Sequence, residues 1–258
     1  MTGIAKPLAL LVALLLFVLL YSVLASGLGP LLGLSAELDY YIVNKWLLAL
    51  ILVSVVLVMG LRKETGLVAH VNWRTLPLYW PMAVILGLLW MGAAGLPAGE
   101  VLLKIVIFCV AVGISEELMF RGLVFHWFRA LPQRGVVLIS AAAFGSVHLV
   151  GLASEIHPAA ILAQAYFAFA LGLIFAGARA RDVSIVLPIL AHAVFDIFAL
   201  GATGGVSQTF ENVPQAVAGM LFAGSIALGW GLYLVWKLGR TESGEIGEDH
   251  PAGAALPR

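Results

Sequence analysis

Two adjacent carboxylates, Glu116 and Glu117, and a guanidinium four residues further on, Arg121, stand inside an otherwise apolar stretch of this chain. A second apolar stretch holds Phe144-Gly145-Ser146-Val147-His148, and a third holds His192-Ala193-Val194-Phe195-Asp196. An ionisable group at the centre of an apolar span costs about 2.5–3.5 kcal/mol on insertion scales, so each of these must face protein or water. At the roughly 100° per residue of a helix, Glu117 and Arg121 share a face and can pair, whereas Glu116 points toward a different neighbour. One carboxylate is thereby neutralised and the other left available. His192 and Asp196, also four apart, share a face of their own. Carboxylates and imidazoles in such a setting can move protons to and from a water or along a relay.

The elements that position these residues follow from composition. Of 258 residues, 62% are hydrophobic and 11% charged, with a mean hydropathy of +1.05; soluble domains carry about 25% charged residues. A hydrocarbon core about 30 Å thick needs roughly 20 apolar residues per helical span. Runs of that size fall at 8–26, 42–61, 77–95, 101–126, 136–153, 159–178, 183–201 and 216–236. The expected fold class is therefore all-α, a polytopic transmembrane helix bundle of about eight spans, with a broken or re-entrant helix as the alternative around Gly95 to Glu100. By this reading residues 1–100 are N-terminal transmembrane helices, 101–201 the core bearing the polar residues, 202–236 the last helix, and 237–258 a disordered cytoplasmic tail. The first span is also weighed as a cleaved signal peptide, against which its apolar run is long.

Charge sets the orientation. Lys6, Arg62, Lys63, Arg74, Arg129, Arg134, Arg179, Arg181, Lys237 and Arg240 all fall in alternate connections, and the opposite loops hold Glu37, Asp39, Glu155 and Glu211. Short loops rich in Lys and Arg stay cytoplasmic, so both termini are expected there. Lys45 and Lys104, near expected span ends, are taken to snorkel to the interface. Net charge is zero, which recommends no nucleic acid as partner, and the single Cys109 excludes an internal disulfide. Measured from the cytoplasmic ends at 1.5 Å per residue, Glu117 lies about 14 Å deep, His148 about 18 Å and His192 about 14 Å. The three could share one layer, although sequence arithmetic does not make their helices neighbours.

Taken in order on separate spans, Glu116-Glu117-x-x-x-Arg121, Phe144-x-x-x-His148 and His192-x-x-x-Asp196 resemble the three signature motifs of the CPBP family of intramembrane proteases. That family includes the prenylated-protein (CAAX) endopeptidases of the Ras-converting type and bacterial relatives linked to bacteriocin processing and self-immunity. The resemblance covers roughly residues 100 to 200 and makes 101–201 a CAAX-protease-like catalytic core. It implies that Glu116 activates the attacking water with His148 assisting, that His192 and Asp196 steady the water or the developing oxyanion, and that Glu117 and Arg121 hold the constellation together. Phe144 reads as a supporting packing residue.

One departure from the family pattern bears on mechanism. The last position is often Asn, and here it is Asp196; an ionised Asp cannot donate a hydrogen bond, so it is either protonated or differently employed. No cofactor is the favoured reading. The alternative is zinc, because Glu116, His148, His192 and Asp196 supply nitrogen and oxygen donors of the right type. Expected partners are the lipid bilayer and a membrane-embedded or lipidated protein or peptide substrate, in a bacterial or archaeal inner membrane. Two other classes compete with a protease: a transporter with a buried proton relay, and a non-catalytic peptide-binding or immunity protein of the same fold.

Overall fold

The computed structural model describes residues 3–34, 36–91, 95–153, 156–203, 212–242 and 244. No strand occurs among them, and eight helices make the body of an all-α bundle. They are α1 (Ala5–Ser26), α2 (Glu37–Val58), α3 (Trp80–Trp90), α4 (Glu100–Glu117), α5 (Gln133–Val147), α6 (Pro158–Arg179), α7 (Val186–Thr203) and α8 (Val213–Glu242). Short helical turns fill several connections.

Among the described residues six helices are long and apolar enough to cross a membrane, where eight spans were expected. The other two fall short for different reasons. The expected span 77–95 is broken by prolines: Pro77 lies in a 3-10 stretch, Trp73–Tyr79, and Pro81 opens α3, which then runs for only 11 residues. At 1.5 Å per residue that is about 16 Å, half a hydrocarbon core. Gly95 and Gly99, both at positive φ (113° and 63°), then turn the chain into α4, in keeping with the break weighed there. The expected span 101–126 is long enough, since α4 continues without interruption through a π-helical turn, Leu118–Leu123, into Val124–Trp127. Its charges, Glu100, Lys104, Glu116, Glu117 and Arg121, are what set it apart from a plain apolar span.

Burial ranks the helices. In α6, 61% of the most apolar window is buried inside the protein, against 17% in α1 and 22% in α2 and α8, so α6 is the axis of the bundle and the others present broad apolar faces outward, as lipid requires. Small residues let neighbours close on that axis: a Cβ at Gly172 would lie 3.1 Å from Ala141 Cα, and one at Gly145 2.9 Å from the Ala165 carbonyl oxygen. Such residues permit the backbone approach that drives helix association where lipid supplies no hydrophobic force.

The connections bearing Lys and Arg meet one another. Asn72 N–H donates to Asp182 Oδ2 at 3.0 Å, Ile185 N–H donates to the Gly66 carbonyl at 3.2 Å, and Glu242 at the end of α8 accepts from the Gln133 N–H at the start of α5. Gly66 sits at φ +78° against the Val183 carbonyl, where a side chain has no room. Helix α8 extends to Glu242, past the expected start of the tail at 237, because Glu242 is tied to Gln133 and Arg134. The rest of that tail, apart from Gly244, and the acidic residues Glu155 and Glu211 lie outside the described residues.

Candidate active site

The end of α4 holds the two carboxylates in different surroundings. Glu117 and Arg121 are fully buried and paired, Arg121 Nη1 donating to Glu117 Oε1 at 3.1 Å. The same guanidinium donates through Nη2 to the Gly172 carbonyl at 3.1 Å and lies 4.6 Å from the Phe144 ring centroid and 5.1 Å from that of Phe175. A cation so placed is met by a carboxylate, a carbonyl dipole and two ring faces, the set of partners that makes burial of a charge tolerable. The π-helical turn explains how the backbone joins in, since its wider winding turns carbonyls toward outside donors. Ser140 Oγ donates to the Phe120 carbonyl at 2.9 Å, and Arg179 Nε donates to that of Arg121 at 3.2 Å.

His192, on α7, is locked onto this pair. Its Nδ1 lies 2.7 Å from Glu117 Oε1; since that oxygen already accepts from Arg121, the imidazole is the donor. The ring stacks on Phe175 at 5.0 Å and 23°, and meets Phe144 edge-on at 5.8 Å. With one nitrogen fixed by a carboxylate and the ring clamped by two phenyls, Nε2 is aimed in one direction. It faces Glu116 Oε2 at 3.8 Å and Asp196 Oδ2 at 3.5 Å. Both separations are longer than a good hydrogen bond, and a water seated beside either pair could reach both of its atoms.

Glu116 turns away from Glu117, as the helical rotation requires, and its side chain keeps 12% exposure where Glu117 has none. Its Oε1 accepts from Lys45 Nζ of α2 at 2.8 Å. His148 closes the layer from the junction of α5 with a 3-10 turn, His148–Ala153. Its Nδ1 donates to the Phe144 carbonyl at 2.9 Å, which leaves Nε2 as the acceptor, and the ring lies within electrostatic range of Glu116, Lys45 and His192.

Helices α4, α5 and α7 thus bring Glu116, Glu117, Arg121, Phe144, His148, His192 and Asp196 into one cluster. Phe144 does more than fill the core, since its ring touches Arg121, His148 and His192, and its carbonyl orients His148. The four residues weighed as a zinc shell do not form one: among the described residues no three His, Cys, Asp or Glu side chains group so as to hold a metal ion.

Four contributors were not foreseen from the sequence. Lys45 was expected at the interface because its span was started at 42; α2 begins at Glu37, which puts Lys45 in the third turn, reaching inward. Lys104, outside the cluster, pairs with Asp39 at 2.9 Å and Glu100 at 2.8 Å. Phe175 and the Gly172 carbonyl, both on α6, carried no signal, since a phenyl or a glycine in an apolar helix is indistinguishable from packing. Arg179, expected only as a loop cation, is 7% exposed and reaches back to the Arg121 carbonyl.

Fold and site together define a polytopic membrane protein with a titratable layer enclosed by its helices. Against known families, residues 97–198 match the family described as type II CAAX prenyl endopeptidase Rce1-like. The match spans α4 to all but the end of α7, and so contains all seven clustered residues but not Lys45. CAAX endopeptidases cleave proteins at the membrane, so the family carries intramembrane protease activity in general terms. No curated protein matches the chain.

Proposed function

We propose that this protein is an intramembrane endopeptidase that hydrolyses a peptide bond of a membrane-associated or lipidated protein tail with a water activated by Glu116. The observation that carries the reading is the gap of 3.8 Å between Glu116 Oε2 and His192 Nε2. A water seated beside this pair, within hydrogen-bond reach of both atoms, is held by a base on one side and an oriented imidazole on the other.

The steps follow from the positions. Glu116 Oε2 takes one proton as the water oxygen bonds to the carbonyl carbon, and the electron pair of the C=O bond moves onto its oxygen. Donors fixed in a water-poor cavity stabilise that oxyanion more than bulk water would. His192 is placed to donate once its Nε2 carries a proton, and Glu117 with Arg121 keeps the ring in position. The tetrahedral carbon then expels the amine nitrogen, which receives the proton held by Glu116, giving a new carboxyl terminus and a free amine. His148 Nε2, left as an acceptor, assists the water's second proton. Asp196, with 27% side-chain exposure, stands at the open edge of the cluster and balances charge on His192. No metal enters these steps.

The meeting of the Lys- and Arg-bearing connections on one side supports a cytoplasmic placement of both termini, with the site opening toward the cytoplasmic half of a bacterial or archaeal inner membrane. Purified protein in lipid nanodiscs tests the reading against a panel of prenylated, acylated and unlipidated peptides, with and without a strong chelator. Cleavage of a lipidated peptide that persists in the chelator is expected. Cleavage abolished by the chelator and restored by zinc would contradict a water activated by Glu116 alone, and no cleavage of any membrane-bound peptide would remove the protease reading.

A further inference from the structure

Lys45 stands outside the family-matched segment, on a different helix, and yet makes the shortest polar contact that Glu116 has. Its place is built rather than casual. One residue before it, the Asn44 carbonyl accepts from Tyr21 Oη at 2.6 Å; one residue after it, the Trp46 indole donates to the Ile107 carbonyl on α4 at 3.1 Å. Six residues before it, Asp39 pairs with Lys104 of α4 at 2.9 Å. These contacts fix the rotation and height of α2 against α1 and α4. They leave Lys45 about 12 Å along α2, where a lysine is costly unless a carboxylate meets it.

The pair also differs from its buried neighbour in kind. Lys45 and Glu116 keep 28% and 12% side-chain exposure, whereas Glu117 and Arg121 keep none. The torsion that swings a carboxylate's two oxygens is broad and nearly two-fold, so an untethered Glu116 presents either oxygen in any direction within its cone. With Oε1 held by Lys45 at 2.8 Å, Oε2 is the oxygen left facing His192 Nε2. His192 is itself held by Glu117 on its far nitrogen. Each half of the gap is therefore anchored from behind, by α2 on one side and by the α4 ion pair on the other.

We propose that Lys45 is a positioning residue for the hydrolytic water: it anchors Oε1 of Glu116 so that Oε2 stays aimed at the gap beside His192, and the working site is assembled across α2 as well as the family core. This rests on the reading of Glu116 as the base. Misplacing a reacting group by about 1 Å can cost on the order of 10²-fold in rate, which sets the scale of the effect.

The test uses full-length protein in nanodiscs and the lipidated peptide that the wild type cleaves, with kcat and KM measured separately for Lys45→Met, Lys45→Arg and Glu116→Gln. Lys45→Met is expected to lower kcat by about ten- to a hundredfold with KM within about twofold. Lys45→Arg, which keeps the charge and an N–H donor, is expected to recover most of that loss. A wild-type kcat in Lys45→Met, a loss confined to KM, or a Lys45→Arg as slow as Lys45→Met would each overturn the proposal. Thermal unfolding guards against a folding defect: Lys45→Met/Glu116→Gln, which removes both charges, should melt with the wild type, and a markedly lower midpoint would make Lys45 structural and overturn it too. A wild-type rate in Glu116→Gln defeats the base reading itself; a dead Glu116→Gln beside a fully active Lys45→Met defeats only the role of Lys45.

Discussion

Glu116 and Glu117 are the same residue one position apart, and the protein uses them in opposite ways. Around Glu117 the structure is sealed: Arg121, His192 Nδ1, Phe144, Phe175 and the Gly172 carbonyl leave no exposure on either member of the ion pair. Around Glu116 it is open, with a partly exposed lysine on one oxygen and a separation of 3.8 Å from His192 Nε2 on the other. The sealed layer has partners at bonding distance for Glu117 Oε1 and both terminal nitrogens of Arg121, with Glu117 Oε2 and Arg121 Nε buried without one, and can hold a shape. The open layer has groups spaced for one more molecule, and so can do chemistry. A hydrolase inside a membrane needs both, because a wet cavity that is not braced from behind would let its polar groups drift toward one another.

The contrast is broken most severely from the sealed side. Arg121→Met removes one partner of a fully buried pair, and such losses cost about 3–5 kcal/mol because the remaining charge is left uncompensated; the expected result is a large fall in the unfolding midpoint in detergent, with activity lost along with the fold. On the open side His148→Ala should leave the midpoint near wild type while kcat falls on the order of 10²-fold, the low end of what a positioned acid or base contributes. A stable but slow protein is the signature sought, and a marked loss of stability would move His148 into the sealed layer. The mildest change falls on the brace itself. A Cβ at Gly172 would lie 3.1 Å from Ala141 Cα and 3.2 Å from Phe144 Cδ1, so Gly172→Ala should cost about 1–3 kcal/mol by overpacking. Since Phe144 carries His148 and His192 contacts, that variant should also slow the reaction, and an unchanged rate would show that the brace tolerates movement.

What the sequence disclosed follows the reach of each signal. The Glu117–Arg121 pair and the opposite heading of Glu116 were legible because both are properties of one helix and its rotation. The π-helical turn that lends the Phe120 and Arg121 carbonyls to Ser140 and Arg179 was not, since Leu118 to Leu123 carry no residue that announces a change of winding. The contact between His192 and Glu117 depends on which helices are neighbours, and spacing along a chain says nothing of that. The family resemblance supplied this grouping in advance for residues near 100 to 200 and left α2 out of view. Lys45 was misplaced because a span boundary was set five residues late, enough to turn a lysine that reaches inward to Glu116 into an interfacial one on paper. At α3 the run that hydropathy reads as one span is divided between a 3-10 stretch holding Pro77 and an 11-residue α-helix that Pro81 opens.

The division of labour between the two carboxylates is tested most directly by turnover of the lipidated peptide with Glu116→Gln in nanodiscs, read beside its unfolding midpoint. A kcat lower by about 10²- to 10⁴-fold, the range of a positioned general base, with a midpoint close to wild type is the expected result. Turnover at the wild-type rate by a folded Glu116→Gln protein would contradict it.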